Sequence, residues 1–223
     1  MTSNKEDYIK EIYHLGGMRQ NVSNKTLAER LGVSPASVSE MLVKLRREGF
    51  IVYEPYAGSR LTEAGIAAAA PLLRAHQLWE VFLREHLHYH WSEVHAEAEL
   101  LEHATSPRLA QRLDAFLGHP VCCPHGTPIP DRAGGLHIPA VRPLSSASPG
   151  ETVTLRQVRE DIALLNYLET LDLRLGSEIT VDALGEYEGP LKLYTAGRCI
   201  EMSYKAASQV FVDAADAPAA PAK

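Results

Sequence analysis

Two stretches of this 223-residue chain, far apart in sequence, put metal-ligand side chains at helical spacing. The first is His76-Gln-Leu-Trp-Glu80 and the second is His95-Ala-Glu-Ala-Glu99-Leu-Leu-Glu102-His103. Residues three or four apart share one side of an α-helix, and 95, 99, 102 and 103 keep that rule throughout. Imidazoles and carboxylates on one stripe gain little by burial unless a cation sits among them. Cys123-Pro-His125 adds a thiol and another imidazole on an irregular segment, and Asp7 lies near the start of the first predicted helix. Charged helix faces are usually only solvated, and a lone histidine such as His95 is more often structural. The convergence of several clusters is what points to a cation. The chain has no His-Glu-x-x-His run, nucleophile elbow or phosphate-cradling glycine loop, which argues against a metallohydrolase.

The elements that must position these groups are legible. Ser3 and Glu6 form a capping-box pattern for a helix over 3–16, with Tyr8, Ile9, Ile12, Tyr13 and Leu15 as its apolar stripe. A second helix is predicted from Asn24 to Leu31, then a tight turn at Gly32-Val33. Ser34-Pro35 supplies an N-cap and a first-turn proline for a third helix that stops at Gly49. Two short strands, Phe50–Pro55 and near Arg60-Leu61, form a wing. Thr62 caps a long helix to about Glu85, Ser92 caps the His95–His103 helix, and Ser106-Pro107 starts one that ends at Gly118. Beyond 119 proline and glycine recur. Strands then follow at Glu151–Val158, Glu178–Leu184, Leu191–Thr195, Cys199–Ser203 and Gln209–Val212, with a helix near 161–171, a spacing that predicts a compact barrel.

This gives a mainly α chain with small β parts. Its expected domains are a winged helix-turn-helix at 1–72, a helical metal-binding domain at 73–140 (the dimerisation domain of the family that the chain resembles, below), a linker at 141–150, a barrel at 151–215 and a disordered tail at 216–223. The stretch Asn24–Gly49 has helix-turn-helix spacing. Ser34, Pro35, Ala36, Ser37, Ser39 and Glu40 would face base edges, where serine can donate or accept and Ala or Pro can touch thymine methyls. Lys25, Lys44, Arg47 and Arg60 would hold phosphates. The plainer alternative is a winged-helix module that only binds protein.

The totals agree. The net charge of −6 argues against nonspecific coating of nucleic acid. Residues 1–75 nevertheless carry ten Lys/Arg against eight Asp/Glu, the only net-positive third, so any DNA contact is expected there. Nine of the ten histidines fall between 76 and 137, which marks the middle segment as the chemical one. Three cysteines are too few for a disulfide framework. A charged N-terminus and the lack of a long apolar run predict a cytoplasmic protein with no membrane span.

The ordered motifs MTSNKEDYIKEIY, NKTLAERLGVSPASVSEMLVKLRREG, RLTEAG, RAHQLWEVFLREHL, VHAEAELLEH and LGHPVCCPHGTPIP resemble the diphtheria toxin repressor family of metalloregulators, most closely its manganese-responsive branch. The resemblance covers nearly the whole chain. It implies a homodimer with a winged helix, a helical metal domain and a C-terminal SH3-like (FeoA-like) domain. Loaded with metal, such a dimer would bind palindromic operator DNA and repress metal-uptake genes, with no small-molecule substrate and no enzymatic activity. It implies a main site of Asp7, Glu99, Glu102 and His103, with His76 close by. A second site would comprise Glu80, Cys123, His125 and Glu160, with Asp161 as a rival to Glu160 and His95 as a further candidate.

The iron-responsive branch uses methionine and cysteine where this chain has Asp7 and Glu99, so the main site is harder and oxygen-rich, which suits Mn²⁺. Fe²⁺ is the alternative, and Zn²⁺, Co²⁺ or Cd²⁺ could substitute in vitro. Short manganese regulators place glutamate at the position of Lys10, so their paired-metal arrangement is doubtful here. The expected switch is simple. Without metal, carboxylate repulsion leaves the DNA-reading heads mobile, and a shared ion fixes them at one spacing. A constitutive DNA-binding protein with a purely structural metal is the rival.

Overall fold

A computed structural model describes residues 2–131, 135 and 139–214. They form two compact units. The first takes residues 2–79, 98–118, 129–131 and 135, and the second 80–97, 119–128 and 139–214.

In the first unit, α1 (Ser3–His14), α2 (Asn24–Leu31) and α3 (Pro35–Arg47) precede the antiparallel pair β1 (Ile51–Glu54) and β2 (Gly58–Leu61). Side-chain caps set the starts of α2 and α3. Ser23 Oγ accepts from the Thr26 amide and Ser34 Oγ from the Ser37 amide, each at 3.1 Å. Gly32, at φ +64°, makes the left-handed turn between the two helices, a conformation glycine adopts without a Cβ penalty. Ile9, Ile12, Leu27, Val38, Leu42, Leu45, Ile51 and Leu61 close the core between helices and wing. The capping box expected at Ser3 does not form. Thr2 occupies the cap position without a side-chain bond, and Ser3 already lies inside α1, which ends at His14 rather than at 16.

Thr62 Oγ1 accepts from the Gly65 amide at the start of α4 (Glu63–Glu85). The next helices are α5 (Val94–Glu102) and α6 (Pro107–Phe116). The boundary between the units falls within α4 and within α5, so each helix contributes residues to both. The expected cap of α5 is displaced, because Glu93 rather than Ser92 immediately precedes it.

The second unit is built on β3 (Val141–Pro143), β4 (Thr152–Val158), β5 (Glu178–Leu184), β6 (Leu191–Thr195), β7 (Arg198–Met202) and β8 (Val210–Asp213). Two helices, α7 (Ile162–Thr170) and α8 (Tyr204–Ala207), join them. All pairings are antiparallel, in the order β3-β8-β4-β5-β6-β7. The sheet is open, not the closed barrel expected, and β3 and β7 are its edges. β4 bends at a bulge between Leu155 and Gln157, pairing with β5 before it and with β8 along its second half. Leu164, Leu165 and Leu168 of α7 and Ala206 and Ala207 of α8 fill the core. The stretch expected as a linker, 141–150, instead holds β3 and a 3-10 turn at Leu144–Ser146, and it buries Leu144 and Ala147. The predicted tail lies outside the described residues.

Candidate metal centres

Glu102 is the hub of the main cluster. Its carboxylate, at the end of α5, is fully buried. Oε1 lies 2.5 Å from Lys10 Nζ and 3.4 Å from His103 Nε2, and Oε2 lies 2.5 Å from His76 Nδ1. Asp7 Oδ1, on α1, is 2.9 Å from His103 Nε2. The four residues expected as one site, together with His76, appear as two triads that share Glu102. Asp7, Glu102 and His103 form one, and His76, Glu99 and Glu102 the other, each with its ligand atoms within 4.8 Å of one another. Lys10 lies between the two glutamates, with its ammonium 2.6 Å from Glu99 Oε1.

The repulsion expected among these carboxylates is opposed by a side chain of the protein itself. Burial alone would lower the Lys10 pKa, but Glu102 and Glu99 outweigh it and hold the ammonium above its ordinary value. Burial raises the Asp7 carboxyl, with His103 and Lys10 opposing. A buried carboxylate that already holds an ammonium is a cation site by its own contacts, and its oxygen-rich donors fit a hard divalent ion.

The second cluster gathers all four of its expected residues. Glu80, Cys123, His125 and Glu160 each offer a ligand atom within 4.8 Å of the others. Glu80 and His125 are fully buried and Cys123 nearly so, while Glu160 and His95 retain partial exposure. The geometry comes from the loop 122–128. Its Cys123 amide donates to Thr127 O and its Gly126 amide to Cys123 O, both at 2.9 Å. The Val158 amide at the end of β4 donates to His125 O at 2.9 Å, which brings Glu160, two residues on, beside the histidine. Gly126 is required there, because a Cβ would meet Arg156 O at 2.1 Å.

His125 Nδ1 faces Glu80 Oε1 and Glu160 Oε1, each at 3.6 Å, and Cys123 Sγ at 3.9 Å. Its Nε2 lies 3.2 Å from Trp91 O, so an Nε2–H donated there leaves Nδ1 as the ligand atom. His95 Nδ1 stands 3.4 Å from Glu80 Oε1 and 3.5 Å from Glu160 Oε2, at the margin of the same cluster. Asp161, the rival to Glu160, caps α7 instead by accepting from the Leu164 amide at 2.9 Å. Burial, then Glu80 and Glu160, push the Cys123 thiol well above its ordinary pKa. Burial pulls the His125 pKa down, but the two carboxylates raise it overall.

Sequence reasoning missed three participants. Lys10 fills the gap between Glu99 and Glu102. Glu6 Oε2 lies 3.0 Å from His103 Nδ1. The Trp91 ring stacks on His125, with centroids 6.0 Å apart at 7°, while its Nε1 donates to Pro124 O at 3.0 Å. The first two could have been found, since Glu6, Asp7 and Lys10 share a helical face. Trp91 carries no such signal.

On the winged helix, Ser34, Pro35, Ala36 and Ser37 are exposed at the start of α3. Ser39 is committed internally, accepting from Asn24 Nδ2 at 3.1 Å and donating to Pro35 O at 3.0 Å. Glu40 pairs with Lys44 at 2.7 Å and Lys25 with Glu29 at 3.9 Å, while Arg47 and Arg60 are exposed.

The chain is similar to known proteins along most of its length. The family model described as iron dependent repressor, N-terminal DNA binding domain, matches residues 1–59. The model for the metal binding and dimerisation domain of the same repressors matches 62–131, and the FeoA domain matches 142–214. The iron-dependent repressor IdeR of Mycobacterium tuberculosis is 30% identical over 191 residues, 79% of this chain and 83% of that protein. A solved manganese-dependent transcriptional repressor in complex with manganese is 37% identical, covers 94% of this chain and 99% of its own, and superposes with a TM-score of 0.86. ScaR with bound Cd²⁺ is 36% identical over 94% of this chain and 98% of its own, with a TM-score of 0.79. The chain belongs to the diphtheria toxin repressor family and is a metal-dependent transcriptional repressor.

Proposed function

We propose that Mn²⁺ is the ion this repressor senses, and that it acts as a cytoplasmic homodimer on palindromic operators of metal-uptake genes. Asp7, Glu102 and His103 would hold the ion in the main site, with Glu99 and His76 beside them. The observation that carries this reading is the 2.9 Å approach of Asp7 on α1 to His103 after α5, since α1 packs on the DNA-reading helices. When bound, a divalent ion supplies positive charge that both elements share. Asp7 then fixes α1, and through it α3, against α5. Two α3 helices could enter successive major grooves about 34 Å apart. Lys10 modifies the expected switch. Its ammonium, within hydrogen-bond distance of both Glu99 and Glu102, would offset part of the carboxylate repulsion on which that switch rests. The ion need only bind the operator-competent arrangement better than the alternative to shift the balance.

Glu80, Cys123, His125 and Glu160, with His95 at the margin, would form the second site. Its thiol makes it softer and open to Fe²⁺, Zn²⁺, Co²⁺ or Cd²⁺, so an iron response is the second reading. The family's role in DNA binding and the absence of a catalytic motif support a protein that is not an enzyme.

Fluorescence anisotropy on DNA upstream of neighbouring metal-transporter genes tests the proposal. It would be run with chelator, Mn²⁺, anaerobic Fe²⁺ and Zn²⁺ at matched free concentration and fixed salt. Binding that requires metal and is best with Mn²⁺ is expected. Preference for Fe²⁺ would move the chain to the iron response, and indifference to chelator would reduce both clusters to structural features.

A further inference from the structure

The main cluster places a carboxylate on each side of the His103 ring. Asp7 Oδ1 is 2.9 Å from Nε2, and Glu6 Oε2 is 3.0 Å from Nδ1. Both acids come from the first turns of α1, and the histidine follows the last residue of α5. Glu6 is absent from both ligand triads, since its oxygen addresses the nitrogen on the far side of the ring from Asp7 and Glu102. It would also be the natural partner of a capping box, but α1 forms no side-chain cap and the Glu6 carboxylate is spent on His103 instead.

An imidazole that binds an ion through one nitrogen needs the proton on the other. An acceptor on that second nitrogen fixes the tautomer, orients the ring and raises its basicity as a donor. We infer that Glu6 is a positioning residue that accepts the Nδ1–H of His103 and so presents Nε2, with Asp7 and Glu102, as the ligand face of the main site. Glu6 thereby makes a second link between α1 and the end of α5 that does not pass through the ion. This inference rests on the main-site reading above. It assigns no charge change to Glu6, only the role of acceptor.

The experiment uses the full chain and Mn²⁺, following free ion by its EPR signal, in wild type, Glu6→Ala, Glu6→Gln and His103→Ala. Glutamine keeps an amide oxygen that can accept the Nδ1–H, whereas alanine keeps nothing. Glu6→Ala should weaken one of the two classes of bound Mn²⁺ by about 10–100-fold and leave the other unchanged. Glu6→Gln should recover most of that loss. In the Zn²⁺-loaded protein, ¹H–¹⁵N NMR should show the His103 Nδ1 proton protected from exchange with solvent in wild type and Glu6→Gln, and exchanging faster in Glu6→Ala. If His103→Ala loses a Mn²⁺ class while Glu6→Ala matches wild type, the main site stands and the role of Glu6 is overturned. Equal loss in Glu6→Ala and Glu6→Gln would also overturn the acceptor role. If His103→Ala keeps both classes, the main-site reading falls and this inference falls with it.

Discussion

Lys10 Nζ and Glu102 Oε1 lie 2.5 Å apart, so an ammonium from α1 sits against the carboxylate that both triads share. Glu102 is fully buried, and its two carboxylate oxygens lie against Lys10 Nζ and His76 Nδ1. The protein thus brings its own counter-ion to Glu102 and Glu99.

Lys10→Met should test that role. Removing one partner of a buried pair leaves the other uncompensated, at a cost of about 3 kcal/mol. Urea unfolding in chelator should show that loss, and saturating Mn²⁺ should stabilise the variant by more than it stabilises wild type. Equal metal stabilisation in the two proteins would mean that Lys10 and the ion do not share the site.

Binding at the second site should depend on pH. The Cys123 thiol is held well above its ordinary pKa by burial and by Glu80 and Glu160, so it is protonated at neutral pH. A metal takes the thiolate and must expel that proton. Affinity should therefore rise with pH, by about tenfold per unit between pH 7 and 8 for one released proton. The raised pKa of His125 steepens the rise at lower pH, where the imidazole too must lose a proton. Cd²⁺ calorimetry in buffers of different ionisation enthalpy would count the protons. Cys123→Ser should weaken binding and flatten the slope.

The proposed base-facing and phosphate-facing positions of the winged helix should respond differently to substitution. Arg60 on β2 is exposed and opposes Val52 across the wing. Arg60→Ala should weaken operator and random DNA alike and lower the salt slope by about one. Ser39→Ala should change sequence preference little, because that hydroxyl is already bonded to Asn24 and Pro35. A large loss of sequence discrimination in Ser39→Ala would return Ser39 to the reading surface.

Ser34→Ala should destabilise the first unit by about 1 kcal/mol through loss of the α3 cap. It should also weaken DNA binding, since the capped turn carries Pro35 and Ala36. Thermal unfolding and anisotropy on the same sample would separate the two effects.

Local chemistry explains which parts were legible in the sequence. α2 was readable to the residue because Ser23 and Gly32 mark its ends, and α6 was readable from Ser106-Pro107. The clustering of Glu99, Glu102 and His103 was legible because their spacing puts them on one stripe. β3 was not readable, since Val-Arg-Pro carries no strand pattern and is ordered only by pairing with β8. The open sheet was hidden for the same reason, because a partner switch along β4 depends on a bulge. The sequence singles out Lys10 only by contrast with the glutamate of short manganese regulators, and only the return of α5 to α1 buries it against Glu99 and Glu102. Trp91 gained its role from the fold of the 122–128 loop, which its own neighbours in sequence do not announce.

Asp7→Ala tests the central claim most directly, by anisotropy on operator DNA against rising Mn²⁺. The account predicts a folded protein that keeps its second site and a thermal transition close to wild type, yet gains no operator affinity from Mn²⁺. A Mn²⁺ response matching wild type in Asp7→Ala would contradict it, since α1 could then be fixed without the one acidic ligand it brings to the ion.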